Sequence, residues 1–142
     1  MKSDKTARFS VSISANLLEQ FDEIVRKKKS VNRSQAIADI ISDAIVEYKT
    51  ESGEEEMAGT ITLVYDHHKP HVQENLTNIQ HDYHQYIIST LHVHLDHHNC
   101  LEVLVVKGKA SVLKQIAEIL IASKGVKHGK LTITTTGKDM PQ

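Results

Sequence analysis

The chain has no tryptophan, and aromatic residues make up only 4% of its 142 residues. Any core must therefore be built from Ile, Leu and Val. A single cysteine, Cys100, excludes a disulfide within the chain. It suits a reducing cytoplasm, where a thiolate stays available as a ligand. No run is long and apolar enough for a membrane span, and residues 1–7 lack the apolar core of a signal peptide. An excess of one charge is also missing: the net charge is −1, which gives no case for nucleic acid when the chain is taken whole. No repeat or low-complexity tract is evident. The one abundance is histidine, with nine of ten lying between His67 and His98. With 39% hydrophobic and 25% charged residues, this is a soluble globular chain of one ordinary domain or two small ones.

The stretch Leu91-His92-Val93-His94-Leu95-Asp96-His97-His98-Asn99-Cys100 concentrates the chemistry. Side chains alternate across a strand, so His92 and His94 share a face, about 6–7 Å apart along the backbone, close enough to chelate one ion. Four polar residues, Asp96 to Asn99, then lead into Cys100-Leu101-Glu102-Val103-Leu104-Val105-Val106, which reads as the return strand of a hairpin. If Leu101, Val103 and Val105 continue the apolar face of Leu91, Val93 and Leu95, Cys100 falls on the side of the two histidines. Two imidazoles and a thiolate at a hairpin mouth make a transition-metal site with three ligands in hand. The plain alternative is a polar loop beside a buried cysteine. Glu102, in phase with Cys100, is placed to orient a liganding imidazole as an acceptor.

The N-terminal third follows a different plan. Arg8 to Ser14 alternates strictly, with Phe9, Val11 and Ile13 on one face and Arg8, Ser10 and Ser12 on the other. Capping residues Ser14 to Asn16 precede a helical pattern through Leu17, Leu18, Phe21, Ile24 and Val25, closed by Arg26-Lys27-Lys28-Lys29. Asn32-Arg33-Ser34-Gln35 fits a capping box for a second helix reaching about Tyr48. One strand and two short helices cannot stand alone. Pairing the strand antiparallel with its copy in a second chain solves this and displays Arg8, Ser10 and Ser12 twice about a two-fold axis. Such a ribbon fits the DNA major groove, and the amides around Arg33 and Ser34 would hold a phosphate. The pattern resembles the ribbon-helix-helix DNA-binding family over nearly all of residues 7–50. The competing reading is a module that only dimerises.

Residues 51–58 are acidic and contain Gly53, as a linker would. The predicted fold class is α+β, with residues 1–50 as a β-α-α ribbon-helix-helix domain and residues 59–142 as a second domain. That second domain has strands at 60–66, 86–95, 100–107 and 131–136 and helices at about 71–82 and 110–123. The order is β-α-β-β-α-β, ferredoxin-like. With Leu91, Val93, Leu95, Leu101, Val103 and Val105 turned to the helices, His92, His94 and Cys100 fall on the open face beside Leu104 and Val106. Apolar residues there imply a covering subunit, and the ligands would line that interface. Gln80-His81-Asp82-Tyr83-His84 offers a fourth ligand, more easily to a neighbouring chain because its helix lies across the sheet. His67, His68 and His71 could hold a looser metal, or simply form a polar turn; His97 and His98 read as solvated, and His128 as structural.

His92-Val93-His94, Cys100-Leu101-Glu102 and Gly125-Val126-Lys127-His128-Gly129, together with the N-terminal pattern, look like the nickel-responsive transcriptional repressor family (NikR), over residues 7–136. The resemblance implies a ribbon-helix-helix domain joined to an ACT-like domain, a homotetramer as a dimer of dimers, and one nickel ion per subunit. It implies a square plane of ligands: His92, His94 and Cys100 from one chain and His81, by its eleven-residue spacing before His92, from a neighbour. It implies repression of metal-uptake genes at a double-stranded operator of two-fold symmetric half-sites, read by Arg8, Ser10 and Ser12. The family often has threonine at these strand positions, so the operator is open. A cation between the domains would use Asp39, though Gln35 stands where a glutamate would help. Imidazole and thiolate suit copper and zinc as well, so nickel rests on the resemblance. A metalloenzyme using the His/His/Cys set, or a storage or delivery protein, is the alternative; an enzyme would leave the N-terminal pattern unexplained and shows no general base.

Overall fold

The computed structural model describes residues 5–29, 32–138 and 140. The chain divides into two compact units, the second beginning at Val46. In the first unit, residues 5–14 form no regular element, because a strand exists only by pairing and none of the described residues pairs with them. Helix α1 (Ala15–Lys27) starts at Ser14, whose hydroxyl accepts the Leu17 N–H at 3.2 Å. Helix α2 (Arg33–Ser52) starts after Asn32, whose side chain accepts the Gln35 N–H at 2.9 Å. The reciprocal half of the expected capping box is not formed; Gln35 Nε2 donates to Asp39 instead, at 2.9 Å. The Arg33 guanidinium forks onto the Asp22 carboxylate at 2.7 and 2.6 Å. That pairing holds the Asp22 carboxyl below its ordinary range. Phe9, Val11, Ile13, Phe21, Ile37 and Ile41 line an open apolar groove of about 730 Å³.

The second unit carries four strands, β1 (Glu56–Asp66), β2 (Ile87–His94), β3 (Asn99–Lys109) and β4 (Val126–Thr135), with α3 (Val72–Asp82) after β1 and α4 (Ala110–Ile121) after β3. The sheet order is β2-β3-β1-β4, antiparallel at each pairing. The β-α-β-β-α-β order is the predicted one. Boundaries differ by more than two residues at three places. α2 runs to Ser52 and β1 begins at Glu56, so much of the polar stretch 51–58 lies in regular structure. β4 begins at Val126, five residues before the predicted strand. Gly129 lets β4 pass under α4: a Cβ there would stand 2.4 Å from Ile121 Cγ1 and 3.0 Å from Leu63 Cδ2.

The sheet faces the opposite way from the expectation. Cys100, Leu104 and Val106 are fully buried and Glu102 is 7% exposed, while Leu91 is 61% and Leu95 54% exposed. The register of β1 decides this. It sets Tyr65, Leu63, Ile61 and Gly59 opposite Cys100, Glu102, Leu104 and Val106. That shared face packs with Leu76 of α3 and Leu113, Ile116 and Leu120 of α4 into one core. The open face is apolar along β2 and β3 and carries Thr60, Thr62, Lys130 and Thr132 along β1 and β4. His92 and His94, opposite Glu102 and Cys100, therefore lie on the helix side, not the open side.

Candidate metal centre

The β2–β3 hairpin is closed by its own side chains. Asp96 Oδ1 accepts the His98 and Asn99 N–H groups, both at 2.8 Å, and the Leu95 N–H donates to the Asn99 carbonyl at 2.9 Å. These bonds and the Asn99 amide lower the Asp96 pKa to about 2. The His67 N–H, just past β1, donates to the His98 carbonyl at 3.1 Å, which fastens the β1 end to the hairpin loop.

At that junction Cys100 Sγ lies 3.1 Å from His67 Nδ1 and 3.4 Å from His94 Nδ1. Donor atoms of His67, His94 and Cys100 all fall within 4.8 Å of one another. Two imidazoles beside a sulfur are a soft-to-borderline donor set, and they fit a divalent first-row transition metal. Burial, then the carboxylates of Glu102, Asp66 and Asp96, pushes the Cys100 thiol up, so a cation that takes this sulfur must displace its proton. Burial, then the neighbouring imidazoles of His68 and His94, pushes His67 down, which favours the neutral ring.

His92 is held by a separate chain of contacts. Tyr65 Oη is 3.1 Å from His92 Nδ1. Glu102 acts on the same hydroxyl and, after burial, is the main cause that drives the Tyr65 pKa up. The Nδ1 side of the His92 ring is thus taken up by Tyr65. That leaves Nε2 as the ring nitrogen on the other side for a ligand. Gln80 Nε2 of α3 donates to Glu102 Oε1 at 2.9 Å, and Thr90 Oγ1 donates to Gln80 Oε1 at 3.2 Å. Glu102 thus reaches an imidazole through Tyr65, and Tyr65 was visible in the sequence only as an in-phase apolar position.

Of the predicted ligands, His94 and Cys100 come together and His92 is adjacent, its ring 5.2 Å from that of His94. His81 stands apart, its ring 6.0 Å from His84. α3 packs on the same side of the sheet as Cys100, so the expected position of His81 across the sheet from the hairpin ligands is not found. His71 belongs to no histidine group: its Nδ1 faces Glu74 at 3.4 Å. His128 is exposed on β4, opposite Val64. No helix among the described residues is long and apolar enough to cross a membrane.

Residues 58–134 match the family model described as the NikR C terminal nickel binding domain. The whole chain is similar to proteins named as nickel-responsive regulators. One from Geotalea uraniireducens is 57% identical over 96% of this chain and 98% of its own length. One from Geobacter metallireducens is 56% identical over the same shares. One from Thermococcus onnurineus is 56% identical over 96% of this chain and 99% of its own.

Proposed function

The chain belongs to the NikR family of nickel-responsive regulators, and from that premise we propose that it represses transcription by binding operator DNA in response to nickel. It is a regulator and not an enzyme. The observation that carries the reading is the convergence of His94 and Cys100 beside His92, whose Nδ1 faces the Tyr65 hydroxyl. We assign nickel to His92, His94 and Cys100 of one chain and His81 of a neighbouring subunit, one ion per subunit. His67 is the hydrogen-bond partner of the thiol. The metal supplies a fixed positive charge that ties these side chains together. Metal identity follows the family, since imidazole and thiolate alone favour copper over nickel.

For the N-terminal part, residues 1–50, we infer a ribbon-helix-helix domain, joined through residues 51–58 to an ACT-like domain at 59–142. The open groove of Phe9, Val11 and Ile13 supports a second chain's strand pairing there, because so much exposed apolar surface is costly in water. Arg8, Ser10 and Ser12 would then face the major groove, and the amides of Arg33 and Ser34 a phosphate. The apolar half of the open sheet face, Leu91, Val93 and Leu95 with Val105, supports pairing of two such dimers into a tetramer. Nickel acts on DNA binding only if it binds one arrangement of that assembly better than another.

Arg8→Ala is expected to cost about 1–3 kcal/mol on a specific operator if the guanidinium makes a bidentate base contact. Binding measured on operator and random DNA checks this; equal losses on both would reduce Arg8 to a phosphate contact.

The ligand assignment makes a contrast between neighbours. Tyr65→Phe removes the oxygen that holds His92 Nδ1 and should weaken nickel binding about 10–100-fold, the usual cost of losing a ligand's support. His67→Ala should leave nickel absorption intact. Competition titrations against a chelator read both, and the reverse order of effects would put His67 in the donor set in place of His92.

A further inference from the structure

Residues 51–58 have the composition of a tether, yet the backbone there is bonded to α4 from two directions. Helix α4 begins at Ala110 with no side chain capping it, so its first amides need other acceptors. The Ala110 N–H donates to the Glu55 carbonyl at 3.2 Å and the Ser111 N–H to the Gly53 carbonyl at 3.1 Å. In return the Lys114 ammonium, one turn further along α4, donates to the Thr50 carbonyl at 3.1 Å. That carbonyl belongs to the last turn of α2, where intrahelical donors run out and the helix dipole favours a cation. Gly53 makes the crossing possible. It is buried, its φ of 74° is the left-handed value that ends a helix, and a Cβ there would meet Ser111 Cβ at 3.3 Å. One turn before Thr50, Val46 packs against the core, and Thr50 Oγ1 donates to its carbonyl at 2.8 Å. The ion pairs Lys109–Glu54 and Lys107–Glu56, both 3.6 Å and exposed, add little beside these bonds.

We propose that residues 46–55 are a clamp, which fixes the C-terminal end of α2 to the start of α4, with Lys114 as the side chain that couples the two helices. The consequence for DNA rests on the reading of residues 1–50 as the DNA-binding part. α2 has 20 residues and is therefore about 30 Å long. Its first turn carries the Arg33 and Ser34 amides assigned to a phosphate, and its last turn is held by α4. Each turn of a helix is bonded to the next, so a displacement at one end is carried along the axis. A shift of α4 is thus handed to α2 at Thr50, with no flexible chain between to absorb it. α4 has reason to feel the metal. Its Leu113, Ile116 and Leu120 pack into the same core as Cys100 and Tyr65, and Lys114 follows Leu113 directly. In a close-packed core, rearrangement around Cys100 reaches Lys114 through side chains in contact. Lys114 is a positioning residue here: it touches neither metal nor DNA in this account.

The test is amide hydrogen exchange on the nickel-loaded full-length protein and on K114M and K114R. Peptides covering residues 46–55 should exchange at least about a hundredfold more slowly than an unstructured chain, as α4 does. K114M keeps the aliphatic stem and loses the ammonium, and should speed exchange over 46–55 while nickel affinity, read by chelator competition, stays native. The DNA probe is the duplex that the native nickel-loaded protein selects from random sequence. K114M should bind it about tenfold more weakly, within the usual range of coupling between sites, with binding to random duplex unchanged. K114R keeps a donor for the Thr50 carbonyl and should restore both readouts. Exchange of 46–55 at the rate of an unstructured chain would overturn the clamp. Native affinity of K114M for the selected duplex, equal losses on selected and random duplex, or a parallel loss of nickel affinity would each overturn the coupling. If the native protein selects no sequence, the DNA reading fails, and the exchange measurement still decides the clamp.

Discussion

Replacing Cys100 by serine is expected to abolish sulfur-to-metal charge-transfer absorption and to weaken nickel binding by more than about a hundredfold, beyond the usual cost of losing a ligand's support. Cys100 is the only sulfur among the proposed donors and the chain's only cysteine. A hydroxyl is a poorer donor to a borderline metal than a thiolate. The side chain is fully buried between His67 and His94, and serine differs from it by one atom of similar reach. Far-ultraviolet circular dichroism should therefore show the fold retained while the absorption disappears. An unchanged spectrum with unchanged affinity would remove Cys100 from the site and with it the nickel assignment.

The element order of residues 56–135 was legible because each element carries its own period. β1 alternates Ile61, Leu63 and Tyr65, and α4 repeats Leu113, Ile116 and Leu120. Which face of the sheet the helices cover was not legible from the hairpin. β3 is apolar on both sides, with Leu101, Val103 and Val105 against Leu104 and Val106, so local alternation cannot choose. The histidines tipped the choice toward solvent, because imidazole on a strand reads as polar. What decides is the register with β1, a non-local pairing. The same register explains the site. His92, His94 and Cys100 were in phase whichever way the sheet faced, so their grouping was readable. His67 and Tyr65 come from a strand end some thirty residues earlier and reach Cys100 and His92 only through that pairing. His97 and His98, each a solvated loop residue by sequence, meet His68 for the same reason.

Subunits lacking complementary halves of the nickel site are expected to restore it when mixed. Tight binding should be absent in a His81→Ala chain and equally in a chain carrying His92→Ala, His94→Ala and Cys100→Ser. After subunit exchange, hybrids that join an intact His81 to an intact hairpin should recover tight binding. Sharing no longer follows from opposite sheet faces, since α3 and Cys100 lie on one side. Two other observations favour it. His81 stands outside the group formed by His67, His94 and Cys100 in its own chain, its ring stacked near His84 instead. His92 and His94 lie exposed on the edge strand β2, where a second chain can approach them. A shared site also couples occupancy to assembly, because nickel that binds only the assembled form stabilises it by mass action. The native protein should therefore dissociate already at higher concentration once nickel is removed, as read by analytical ultracentrifugation. Hybrids shown to form, yet binding no nickel tightly, would mean that all four ligands belong to one chain. Sensing would then need a route other than the subunit interface, and the coupling of nickel to the presentation of two ribbons on DNA would lose its basis.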